Sequence, residues 1–105
     1  MTTISVIYPR SEGATFDYDY YEQTHLPLVA QRWADAGLVG AEALRGVSGV
    51  DGSEPAFLAI ALLHFESLDR FQTAVTGAHA AEIMGDIANF TSVQPVLQVN
   101  EAIGR

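Results

Sequence analysis

The sequence predicts an α+β protein with the ferredoxin-like order βαββαβ and a four-stranded antiparallel sheet. Three observations lead there. A long amphipathic segment, from about Asp17 to Ala36, lies between two β-rich runs. A turn-forming stretch, Gly49 to Pro55, separates two further runs as a hairpin connection would. A second helical pattern, broken at Gly77, then precedes a closing β-rich run.

The first strand is Thr2 or Thr3 to Tyr8, closed by Pro9. A loop with Ser11, Glu12 and Gly13 leads to the first helix, where Asp17 and Asp19 suit the positive end of the helix dipole. Leu26, Val29, Ala30 and Trp33 follow at core-facing spacing, and Gly37 supplies a C-cap. Pro27 lacks the N–H that would bond the Gln23 carbonyl, so a bend or short break is expected between about Gln23 and Leu28. Leu26, ahead of the proline, is expected outside the helical region. Leu38 to Val47 reads as a second strand, twisted or bulged at its glycines. Phe57 to Phe65 is nearly all apolar, the pattern of a strand covered on both faces. Ser67 is a good N-cap for a helix whose inner stripe is Leu68, Phe71 and Val75; helix resumes from Ala78 to Ile87. The last strand runs from about Ser92 to Glu101.

Two helices cover one face of such a sheet. The other would expose much of Phe57–Phe65, a larger apolar patch than a soluble monomer tolerates, so a second copy packed face to face is expected.

Composition narrows the function. The 105 residues suit one domain, residues 1–105, and the 49% apolar content suits a packed one. The formal charge is −8, with five arginines and no lysine, so neither nucleic acid nor an anionic membrane is an expected partner. There is no cysteine, which removes thiol chemistry and disulfides. The first residues lead straight into a strand with no basic and hydrophobic leader, and no apolar run reaches membrane-spanning length, so a cytoplasmic location is expected. His25, His64 and His79 lack the close spacing of a dedicated metal site, and no glycine-rich phosphate loop follows the first strand. Neither a metal nor a cofactor is expected.

The chemistry-bearing stretch is Phe16 to Leu28, with three tyrosines, a histidine and a proline. At helical spacing Tyr18, Tyr21, His25 and Leu28 fall on one face. An imidazole with a pKa near ~6.5 can take or give a proton at neutral pH, which makes His25 the candidate acid/base; the bland alternative is a histidine that only braces the proline bend. Tyr21, one turn earlier, could bond it or polarise a substrate carbonyl. Tyr8 and Tyr18 are candidate binding residues at the same cavity, with Leu28 beside them. His64, ending the most apolar strand, could face a barrel interior, although such histidines are more often satisfied core or edge residues. His79 is expected in solvent.

The run Phe-Asp-x-Asp-Tyr-Tyr-x-x-x-His-x-Pro-Leu at Phe16–Leu28 resembles the signature helix of the EthD family, small proteins first met in ethyl tert-butyl ether degradation. The tail Asn89–Glu101 is similar to that family's closing strand. The resemblance implies a ferredoxin-like fold that pairs into a dimeric α+β barrel. It maps the family's histidine onto His25 and its tyrosine pair onto Tyr20 and Tyr21. It points to catabolic oxidation, hence an oxidoreductase, acting on a small apolar or oxygenated compound. It leaves haem open, since related barrels bind it. Two other readings stay beside it: a cofactor-free cyclase or isomerase using His25 and Tyr21, and a non-catalytic accessory protein serving a partner enzyme of a degradation pathway.

Overall fold

The computed structural model describes residues 1–104. In chain order it consists of β1 (Thr2–Pro9), α1 (Tyr18–Tyr20), a π-helical turn (Tyr21–His25), α2 (Leu26–Trp33), β2 (Leu38–Arg45), β3 (Phe57–Phe65), α3 (Leu68–Val75), α4 (Ala80–Asp86) and β4 (Val96–Asn100). The four strands form one antiparallel sheet in the order β2-β3-β1-β4, so the fold is α+β and ferredoxin-like.

The sheet has two unlike faces. Ile4, Val6 and Tyr8 of β1 and Ala59, Ala61, Leu63 and Phe65 of β3 are buried beneath the helices. The alternate residues of β3, from Leu58 to His64, are only half-buried in the single chain. With Ile7, Leu44 and Val96 in register beside them, they form an uncovered, largely apolar face. The apolar run of β3 therefore hides a period-two pattern, because both of its faces are hydrophobic.

The first helical segment differs from the expected bend. Leu26 has helical dihedrals (φ −62°, ψ −44°) and the segment runs through Pro27 unbroken. What absorbs the strain is the π turn: the Leu26 N–H reaches back five residues to the Tyr21 carbonyl. Pro27 sits in the first turn of α2, where the missing N–H costs least. The inserted residue also resets the buried face. Tyr21, His25, Val29 and Trp33 are all buried, at a strict spacing of four. On a straight α-helix such a row drifts about 40° per step; the wider turn takes up part of that drift. Leu28 thus falls beside the buried row, and Ala30 is exposed.

Local signals set the helix ends. Asp17 Oδ1 accepts the Tyr20 N–H at 3.1 Å, and Ser67 Oγ accepts the Arg70 N–H at 3.2 Å. Gly37 closes the first helical segment at φ +99°, and a Cβ there would lie 2.7 Å from Arg70 Cβ. In α3, Phe71 and Ala74 are buried and Val75 packs against the core, while Leu68 is 41% exposed, so the inner stripe keeps Phe71 and Val75 of the expected residues and loses Leu68. β4 begins at Val96, not Ser92, because Pro95 has no N–H to offer a ladder.

Residues before α1 are tied to residues after α4. The Asp17 N–H donates to the Phe90 carbonyl at 2.7 Å, and Thr91 Oγ1 donates to the Thr15 carbonyl at 2.7 Å. A single β-bridge joins Phe16 to Thr91. This clasp sets the relation between the first helical segment and α4, and the candidate site lies between them.

Candidate functional site

His25 is carried at the end of the π turn and faces α4. Its Nδ1 lies 2.9 Å from Asp86 Oδ2, with both side chains nearly sealed. Asp86 Oδ1 accepts two further bonds, from the Tyr20 hydroxyl at 2.6 Å and from Asn89 Nδ2 at 3.0 Å. Burial works to raise the Asp86 pKa, but bonds from Tyr20, Asn89 and His25 outweigh it and hold the carboxyl below its ordinary value. For His25 burial dominates: it lowers the imidazole pKa below 6.5, against the opposing pull of Asp86. Near neutral pH the pair is therefore a neutral imidazole and a carboxylate. The carboxylate accepts only from a protonated Nδ1, which leaves the lone pair on Nε2.

Nε2 bonds no described residue, yet among those residues no buried side-chain nitrogen or oxygen lacks a partner. Nε2 must therefore open onto accessible space. The same holds for the hydroxyls of Tyr8 and Tyr21, which also bond no described residue. All three residues line one cavity of about 40 Å³ between the helices and the sheet, walled otherwise by apolar groups such as Trp33, Leu63 and Ile83. The Tyr21 ring stacks on the imidazole at 5.8 Å between centroids, 16° from parallel, and Phe90 packs 4.6 Å away. Burial pushes the Tyr21 phenol up to about 12, and Tyr8 higher again, so both are neutral donors. A base, two phenolic donors and apolar walls can orient a small molecule and move a proton on it.

The remaining sequence candidates are dispersed. Tyr18 leaves the buried row, donates to the Leu58 carbonyl at 2.8 Å and lines a separate hollow. Leu28 packs against the core outside the cavity. His64 is on the uncovered sheet face, bonded to Thr3 Oγ1 at 2.9 Å and Glu42 at 3.2 Å. His79 is exposed. The tyrosine pair divides its tasks: Tyr20 bonds Asp86 and Tyr21 faces the cavity. Asp86 was not apparent from the sequence. It lies 61 residues from His25, and the available signal was an acid at a helix end with Asn89 one turn on. Among the described residues there is no group of three metal-ligating side chains, and no helix is long and apolar enough to cross a membrane.

No curated protein matches the chain. Among solved structures, an EthD-like protein of Ralstonia eutropha JMP134 is 38% identical with a TM-score of 0.88, over 99% of this chain and 94% of that one. An EthD family protein of Bacillus halodurans C-125 is 18% identical with a TM-score of 0.71, over 98% and 99%. The fold is also shared with SnoaB, a cofactor-independent oxygenase of Streptomyces nogalater, at 14% identity and a TM-score of 0.64 over 96% and 90%. The EthD domain matches residues 12–94, which span the signature helix, the clasp and Asp86. With that match and the Ralstonia likeness over nearly its whole length, the chain belongs to the EthD family.

Proposed function

We propose that the protein binds a small apolar or oxygenated compound beside His25 and takes a proton from it with Nε2. The observation that carries this reading is the orientation of the imidazole: Asp86 occupies Nδ1, and Nε2 is the atom left open. In the step, the substrate's C–H or O–H bond breaks, the proton moves to Nε2, and the electron pair stays on the substrate as a carbanion or oxyanion. Asp86 steadies the imidazolium, and Tyr21 or Tyr8 donates a hydrogen bond to the developing negative oxygen. The fate of the anion sets the reaction class. Transfer of its electrons to dioxygen makes the protein an oxidoreductase of catabolic oxidation, the class the family resemblance favours. Return of the proton at another atom makes it an isomerase. Attack of the carbanion on a carbonyl carbon of the same molecule, with the proton returned to the oxygen that takes up the displaced π electrons, makes it a cyclase. A second copy covering the apolar sheet face completes the proposal, giving a dimeric barrel.

The test needs no known substrate. 2-Indanone, a small ketone with acidic α-hydrogens, is incubated with the protein in D2O and its deuterium uptake followed by NMR. Acceleration by the wild type, reduced roughly 10²–10⁴-fold in His25→Gln, is expected. Products formed in air and absent under nitrogen would assign the oxidative branch. No acceleration by a folded wild type overturns the proposal and favours the accessory-protein reading.

A further inference from the structure

The cavity beside His25, at about 40 Å³, holds only a few water-sized bodies of about 10–15 Å³ each. An organic substrate needs more, commonly about 300 Å³ or above. The missing room lies next door. A hollow of about 230 Å³ opens over the edge of the sheet at β2, and Tyr21 and Leu26 line both spaces. Those two side chains are the partition. They are also the residues joined by the π-helical hydrogen bond, so the wall between the two spaces is built on the widened turn of the helical segment.

Among the described residues the outer hollow has a single cationic side chain, Arg45, on its wall. Its guanidinium lies 4.0 Å from the centroid of the Tyr18 ring, and that ring is pinned by its hydroxyl bond to the Leu58 carbonyl. Arg10, Arg32 and Arg70 each bond a carbonyl or carboxylate oxygen. Arg45 bonds none among the described residues, although Asp19 and Glu22 line the same hollow. A guanidinium held over a pinned aromatic ring, bonding no oxygen among the described residues, has donors to spare for a carboxylate.

We infer that this hollow is the outer lobe of the His25 site, and that Arg45 receives the carboxylate of a substrate whose apolar body passes Tyr21 and Leu26 to reach the imidazole. The inference rests on the proton-transfer reading for the inner end alone. Leu26, a flexible aliphatic side chain at the partition, swings aside to join the lobes. Tyr18 is then a positioning residue that holds the guanidinium at the rim.

Three probes of one shape test it: 2-naphthoate, 2-naphthylmethanol and 2-naphthylmethylammonium, titrated by calorimetry with the His25 imidazole followed by ¹⁵N NMR. Wild type should bind the carboxylate roughly 10–100-fold more tightly than the alcohol, the range expected of charge-assisted bonds. Arg45→Gln should abolish that preference and leave the alcohol's affinity unchanged. Bound naphthoate should shift the His25 ring signals. Equal binding of carboxylate and alcohol, tighter binding of the ammonium at Asp19 and Glu22, or an Arg45→Gln variant that keeps the preference overturns the carboxylate assignment. Binding at Arg45 with unmoved His25 signals overturns the joined lobes. His25→Gln should keep the carboxylate preference, so failure of proton transfer and failure of this inference are told apart.

Discussion

Replacing Asp86 with asparagine tests the centre of the site at nearly constant shape. In the wild type the carboxylate receives bonds from His25, Tyr20 and Asn89. Charge-assisted bonds contribute about 1.5–3 kcal/mol and neutral ones about 0.5–1.5, so losing the charge weakens each by roughly 1 kcal/mol. The bond to nearly sealed His25 counts in full, and those nearer solvent count for less. A net loss of about 2 kcal/mol should lower Tm by roughly 8–16 °C for a domain of this size. The sharper effect is on the proton. If the amide oxygen keeps Tyr20 and Asn89, its NH2 faces Nδ1, which must then accept, and the ring hydrogen moves to Nε2. Asp86→Asn should therefore convert the open nitrogen from base to donor. Its His25 pKa should fall further, since the carboxylate's upward pull is gone. Long-range ¹H–¹⁵N spectra of the imidazole near pH 8 distinguish the tautomers. A wild type already protonated on Nε2, or a variant whose tautomer is unchanged, refutes the reasoning.

Two other outcomes are expected. Sedimentation at micromolar concentration should give twice the 11.3 kDa chain mass, and Ile60→Glu on the uncovered sheet face should give a monomer; a monomeric wild type would sink the paired-sheet proposal. Stability should fall as pH drops below about 6.5, because the unfolded histidine then binds a proton that buried His25, with its depressed pKa, resists. Asp86 adds a second loss at lower pH, as the medium falls through its depressed folded pKa. Chemical denaturation of His25→Gln across that range should lack the first of these slopes; an equal slope in both proteins would place its origin elsewhere.

Features written in neighbouring residues were legible in the sequence. Ser67 caps its own helix, Gly37 ends the one before it, and β3 runs from Phe57 to Phe65 as its apolar run predicts. The π turn was not legible, because Pro27 signals strain without saying whether the chain breaks or widens to absorb it. That choice aligned Tyr21 and His25 with the expected core residues Val29 and Trp33 and left Tyr18 and Leu28 beside the row. Asp86 was hidden for a different reason. Its role depends on a partner brought near by topology, and an acid ending an ordinary helix has no local pattern to mark it.

The clasp between Thr15–Asp17 and Phe90–Ser92 bears on how relatives are recognised. It makes the imidazole and its carboxylate one assembly, although they are written in distant thirds of the chain. A homologue found through the tyrosine-rich helix alone could carry the histidine with nothing behind it, the proton free to rest on either nitrogen. Divergence in chemistry within such a group would then be recorded near the end of α4, in residues a motif search never reads.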